Sequence, residues 1–323
     1  MKYTIFYAVI LLLIIFIVVY NQTLRQIESF DNINIISKLD DSAGFYSQLF
    51  FLMNHYIYCK KNKQNFEIDS QQWIYKSKYG WTDYFTPITL KFYESNKDKV
   101  YRHNNTIDEY SIQSYKDVIP EIYVYNERIQ EHINIQKRIL NLENYDSIYI
   151  RRGDKLIDEI KLSQESIYIE LLLQKNPNCK TIFLQTDDYT CFKNLQKYID
   201  TNNLNIRLVT TCNENSVGAI TSNYYKEKIG NSKGENNEYL SSIHSKLQKT
   251  KPIEDMNSEE KYAHTLELLT GIDICINSNI CVCDFNSNVS RFIKLAHKNT
   301  NNVFDINNTI VDFFKKVCPA YSF

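Results

Sequence analysis

Arg151 and Arg152 stand side by side directly after the short apolar run Ile148, Tyr149, Ile150, and Gly153, Asp154 and Lys155 follow them. In an open α/β sheet, ligands bind outside the carboxyl ends of the strands. Two guanidiniums at such an end suit a doubly charged phosphate group, because each planar fork can bind it bidentately. The same residues also fit a solvated arginine pair in a loop, or an incidental Arg-Gly-Asp tripeptide. Two more polar clusters fall where strands end: Thr186-Asp187-Asp188 after the run 181–185, and Asn286-Ser287-Asn288 after the run 280–283. Strand ends of one parallel sheet converge on one face, and a helix amino terminus beside the arginines adds to their preference for phosphate. Each charge-assisted hydrogen bond to phosphate is worth about 1.5–3 kcal/mol net. Two arginines can therefore hold a diphosphate without a metal. One of the acids Asp187 and Asp188 is enough to cap the helix after them, and Asn286 to Asn288 also fits a plain cap and turn. A metal site is possible at these adjacent carboxylates, but no histidine accompanies them, and hard cations usually gather more oxygen ligands.

The elements that would position these clusters follow from pattern. Strands are expected at 147–150, 181–185, 205–210 and 280–283, and helices at 127–140, 164–174, 189–198, 258–269 and 287–298. Ser258 fits an N-cap, with Glu259 and Glu260 in the first turn. Strands alternating with helices imply parallel βαβ units. Phe45 to Tyr58 reads as a largely apolar helix, 61–120 shows weak periodicity, and 213–255 reads as a long polar loop.

Tyr3 to Tyr20 is an almost unbroken apolar run of 18 residues without a formal charge, long enough for a membrane-spanning helix. No small-residue cleavage site follows it, so an uncleaved anchor is expected. Residues 21–40 would be a short stem, 41–142 one half of the soluble body and 143–323 the other. The formal net charge of -1 argues against bulk binding to nucleic acid, which needs a basic footprint. Eight cysteines permit disulfides whose pairing the sequence does not reveal, and Cys281 and Cys283 lack zinc spacing. Cys275, Cys281 and Cys283 lie in an apolar stretch and also fit small buried hydrophobes.

Four stretches together resemble the core α1,6-fucosyltransferases and, more distantly, the protein O-fucosyltransferases and nodulation fucosyltransferases. They are Gly44 to Leu49; Ser70 to Tyr75 with Gly80 to Phe85; Tyr149 to Glu159; and Thr186-Asp187-Asp188 with Ser287 to Arg291. The resemblance implies a GT-B-like α/β fold of two Rossmann-type halves, GDP-fucose as donor substrate, a glycan or glycoprotein acceptor, no cofactor and no metal. It implies that Arg151 grips the diphosphate, that Arg152 supports the site, and that Asp154 and Lys155 shape it. Glu159 falls on the general base, which takes the acceptor hydroxyl proton as it attacks the anomeric carbon. Gly44, Tyr149, Ser287 and Asn288 fall at donor contacts, Asp187 and Asp188 at donor or acceptor contacts, and Asp273 at the guanine-binding acid. The resemblance also implies a type II membrane protein with a luminal, Golgi- or ER-like catalytic body. The chain departs from the pattern at Tyr149 (histidine in the relatives), Gly153 (threonine), Asn288 (glutamine) and Tyr46 (a second glycine). The family's long coiled-coil stem and carboxyl-terminal SH3-like domain are not expected within these residues. Two rivals share these residues: a transferase for another nucleotide sugar, and an inactive glycan-binding membrane protein.

Overall fold

The computed structural model describes residues 34–40, 42–92, 99–102, 110–154, 164–223, 247 and 249–307. The expected anchor at 3–20, most of the stem, Lys155 and Glu159 lie outside the described residues. Among the described residues no helix is long and apolar enough to cross a membrane.

The amino-terminal half is built on a three-stranded parallel sheet of β1 (Asn34–Lys38), β2 (Asn65–Asp69) and β3 (Lys99–Arg102), in the order β2-β1-β3. The body therefore begins earlier than its sequence suggests, because the central strand β1 falls in the stretch read as stem. Between β1 and β2 runs α1 (Phe45–Asn62). Thirteen of its residues are buried, from Phe45 to Cys59, so it is apolar nearly all round and sits inside the molecule. It packs against the sheet, against α2 (Ile112–Ile122), and against a helix of the other half. A helix α3 (Glu127–Ile139), capped by Asn126, leads out of this half.

The second half is a five-stranded parallel sheet: β4 (Asp146–Ile150), β5 (Thr181–Thr186), β6 (Arg207–Thr210), β7 (Cys281–Cys283) and β8 (Val303–Asp305). Its order is β6-β5-β4-β7-β8. Every residue of β4 is buried, as expected for a parallel strand covered on both faces. Helices α4 (Glu165–Lys175) and α5 (Tyr189–Thr201) cover one face, in a core with Ile148, Ile182 and Leu184. Helices α6 (Ser258–Ile276) and α7 (Asn288–Ala296) join the other face to α1 in one continuous core. Asn257, not Ser258, caps α6; it accepts from Glu259 and Glu260 N–H groups in a capping box with Glu260. The helix also runs past the expected end at Leu269, through Gly271. There a Cβ would lie 1.6 Å from Gln185 Oε1, so the glycine is a packing necessity rather than a terminator.

Candidate functional site

The order β6-β5-β4-β7-β8 places successive connections on opposite sides of β4, and a ligand crevice lies at such a switch point. A cleft of about 750 Å³ opens there, between the carboxyl ends of the large sheet and the amino terminus of α1. Its walls bring together Gly44, Tyr149, Arg151, Asp154, Asp187, Ser287 and Asn288, all expected from sequence.

Arg151 holds the centre. Its guanidinium donates to Asp187 Oδ2, to Asp154 Oδ1 at 2.6 Å and to the Ala219 carbonyl at 3.3 Å. Burial disfavours its charge, and Asp154 and Asp187 more than offset that, keeping it firmly protonated. Asp187 also accepts from the Arg152 N–H at 2.7 Å and the Ala219 N–H at 3.0 Å. Asp154 accepts from Thr221 Oγ1 at 3.1 Å. The arginine is thereby pre-oriented by two acids that are themselves held by backbone and hydroxyl donors.

The segment 216–221 lies across these strand ends. Gly218 N–H donates to the Asp187 carbonyl at 2.7 Å, and Asp154 N–H to the Ala219 carbonyl at 3.1 Å. Gly153 has φ +52°, and a Cβ there would meet the Ala219 carbonyl oxygen at 2.2 Å. The glycine at this position is required by that crossing segment of loop.

The opposite wall is the start of α1. Gly44 is its N-cap at φ -58°, and among the described residues the nearest atoms to a Cβ built there are Ser47 Oγ and Thr221 Cγ2 at 4.0 Å, ordinary contact distances. The Phe45 N–H donates to Tyr75 Oη at 2.8 Å. Tyr75 belongs to the tryptophan-containing segment, which closes on itself. Asp83 accepts from the N–H groups of Ser77, Lys78, Tyr79 and Gly80 at 2.8–3.0 Å, and Ser70 Oγ accepts from the Trp81 N–H at 2.9 Å. The rings of Trp73 and Tyr75 pack on Phe45. Tyr46 turns its ring into the core against Phe292, and its hydroxyl pairs with Tyr123 at 2.7 Å. Its bulk is thus absorbed between the halves.

The third wall is the start of α7, where Ser287 caps the helix by accepting from the Val289 N–H. Asn288 donates to Ser47 Oγ of α1 at 2.7 Å and accepts from Arg291 at 2.9 Å, tying the two helix amino termini together across the cleft. Tyr149 is buried beside them; burial pushes its hydroxyl pKa up, with Arg151 and Ser287 working against that, so it stays a neutral phenol.

Two residues of α6 also line the cleft and escaped the sequence reading: His264 and Glu267. They lie three apart on one helix face. Burial, reinforced by Arg151 and opposed by Asp187, lowers His264 to about 4. Burial, reinforced by Asp187 and opposed by the Asn213 backbone, pushes Glu267 up to about 7. Only their helical spacing on an α6 that faces strand ends could have flagged them.

Three expected residues do not line the cleft. Arg152 is 2 % exposed and donates to Glu165 Oε1 at 2.8 Å under α4. It touches the site through its backbone. Asp188 is the N-cap of α5, accepting from the Thr190 N–H at 2.8 Å, which is the capping alternative. Asp273 pairs with Lys137 at 2.6 Å, joining α6 to α3. Seven cysteines, all but Cys318, are described, and all seven are buried, Cys275, Cys281 and Cys283 among them. Among the described residues no group of three or more histidines, cysteines or acids could hold a metal ion.

No family model matches the chain, and no curated protein matches its sequence. Solved structures do. The fucosyltransferase NodZ from Bradyrhizobium superposes with a TM-score of 0.52 at 9 % identity, over 85 % of this chain and 95 % of that one. A NodZ alpha-1,6-fucosyltransferase soaked with GDP-fucose gives 0.49 at 9 % identity, over 81 % and 92 %. The α/β architecture with two parallel sheets is thus the GT-B-like fold of the Bradyrhizobium enzyme.

Proposed function

We propose that this chain is a glycosyltransferase that moves fucose from GDP-fucose to a glycan hydroxyl. The observation that carries this reading is the pre-oriented Arg151, set at the switch point between the amino termini of α1 and α7. A diphosphate there meets one guanidinium and two positive helix ends, and no described wall residue comes closer than 4.0 Å to a Cβ at Gly44. The shared fold of a fucosyltransferase supports the choice of donor. As the glycosidic bond breaks, negative charge grows on the departing diphosphate, and fixed positive groups stabilise that charge without reorganising. Direct displacement inverts the anomeric centre, and a carboxylate must accept the attacking hydroxyl's proton. Glu159 is proposed for that step on the resemblance, with Lys155 beside it. The α1,6 linkage, the membrane anchor at 3–20 and the luminal location are part of the same proposal and rest on the sequence.

The test is GDP release by the full chain with GDP-fucose and a panel of glycan acceptors, beside GDP-mannose and UDP-sugars. Acceptor-dependent turnover of GDP-fucose is expected. Turnover of a different nucleotide sugar alone would replace the donor, and no turnover of any would overturn the reading.

A further inference from the structure

The small sheet has two ends, and the chain enters at the one away from the cleft. β1 begins at Asn34, in register with Asn65 at the start of β2 and Lys99 at the start of β3. The Asn65 side chain ties this edge together. Its Nδ2 donates to Asn34 Oδ1 at 2.9 Å, and its Oδ1 accepts from the Phe92 N–H at 2.8 Å. The carboxyl terminus of α1 ends at the same edge, since only Lys63 and Gln64 separate Asn62 from β2. The amino terminus of α1 stands at the cleft, and its 18 residues put about 27 Å between the two ends. The far edge carries an exposed ring among lysines. Phe92 is 45 % exposed beside Asn65. Lys60 and Lys61 in the last turn of α1, Lys63 after it, and Lys91 next to Phe92 are exposed as well. Among the described residues the acids close to them are fewer: Glu121, which pairs with Lys60 at 2.5 Å, and Glu67 farther along β2.

Resting on the anchor at 3–20 proposed above, we propose that this edge of the small sheet docks on the lipid surface, with Phe92 in the acyl boundary and Lys61, Lys63 and Lys91 against the headgroup phosphates. Interfacial binding draws on buried apolar area and on attraction between basic side chains and lipid. Lysine suits it, because its stem lies along apolar surface while the ammonium stays at headgroup level. Where the chain enters decides the occupant. Residues 21–33 join the apolar run to Asn34 and reach at most about 45 Å fully extended. The bilayer that holds the run is therefore always near this edge. The cleft then opens one length of α1 away from the headgroups, and an acceptor glycan reaches it from the aqueous side.

Fluorescence of the full chain, reconstituted in phosphatidylcholine vesicles with phosphatidylserine as the minor lipid, tests this. Bromine placed high on the acyl chains quenches an indole that reaches their boundary. Phe92→Trp should lose emission in brominated vesicles. Tyr79→Trp, at a 62 % exposed position in the segment that holds Tyr75 under the amino terminus of α1, should not. Wild type supplies the background of Trp73 and Trp81, which are buried. Adding Lys61→Glu and Lys63→Glu to Phe92→Trp should lower the ratio of docked to undocked body by roughly fivefold or more per lysine and restore the emission. If Phe92→Trp fails to fold, Lys91→Trp reads the same edge. No quenching at position 92, or equal quenching at 79 and 92, overturns the proposal, as does quenching that survives reversal of the lysines. If alkaline carbonate strips the wild-type chain from the vesicles, the anchor reading falls and takes this proposal with it. A chain that stays embedded with position 92 unquenched keeps its anchor and loses only this face.

Discussion

At the scale of single residues, the site turns on how Arg151 is held. Its fork answers Asp154 and Asp187 at once, and a lysine ammonium cannot reproduce that planar pair of contacts. Arg151→Lys should therefore keep the charge yet cost about 1.5–3 kcal/mol of GDP affinity, a loss of roughly 10- to 100-fold by calorimetry. Unchanged affinity would show that the diphosphate sits elsewhere. Gly44 makes the complementary case. At its φ of -58°, and with Ser47 Oγ and Thr221 Cγ2 at 4.0 Å the nearest described atoms to a Cβ, Gly44→Ala disturbs no described backbone. Thermal unfolding should shift by no more than a weaker N-cap allows, about 1 kcal/mol, while on the proposed donor reading nucleotide affinity falls because the methyl enters the room assigned to the phosphates. Both residues were legible as types at a spacing. What each touches was not, because Ala219 and Thr221, which complete the arginine's setting, come from a loop with no motif.

At the scale of elements, two loops carry the site. Asp83 gathers four backbone N–H groups and so fixes the segment that holds Tyr75 under α1. Asp83→Ala leaves those donors without their acceptor and should lower stability by about 2–3 kcal/mol in urea unfolding. Gly153 is left-handed and in contact with the segment 216–221. Gly153→Ala adds about 1–2 kcal/mol of backbone strain before any clash with the Ala219 carbonyl, so it should destabilise by more than that and loosen the cleft's floor. Wild-type stability in G153A would mean the loop is free to move off β4. The long elements were readable because their burial follows a period: β4, β5 and α5 are near their expected places, and α6 begins where expected. The three strands β1 to β3 were not. They are short, mix Asn, Lys, Glu and Asp with the apolar residues, and owe their existence to pairing across 31 residues or more.

At the scale of the whole molecule, the two halves share one core, and hydroxyls stitch them: Tyr46 to Tyr123, Tyr125 to Tyr123 at 2.8 Å, and Tyr125 to the Leu269 carbonyl at 3.3 Å. The α6 pair couples the cleft to pH in opposite senses. Glu267, ordinarily at 4.5 and raised to about 7, contributes stability below pH 4.5 that is lost as pH rises through 7. His264, ordinarily at 6.5 and lowered to about 4, contributes stability present above pH 6.5 and lost as pH falls through 4. The two largely offset between these limits. E267Q should accordingly gain thermal stability relative to wild type as pH climbs from 4.5 to 7, and no pH-dependent difference would show that the carboxyl is solvated.

The amino-acid sequence by itself determined the local features: a strand running into Arg151, acids at the end of the next strand, a capping serine at the end of a third, and helices of readable period between them. These are short-range properties, written in burial patterns and residue types within a few positions. The tertiary structure decided which of them share a site. It took Arg152 under α4, Asp188 into a cap and Asp273 to Lys137, and it brought His264 and Glu267 into the cleft beside Arg151. Which face of a helix meets a strand end depends on packing across more than a hundred residues of chain, as with Asn288 on Ser47. No local pattern records a contact of that range.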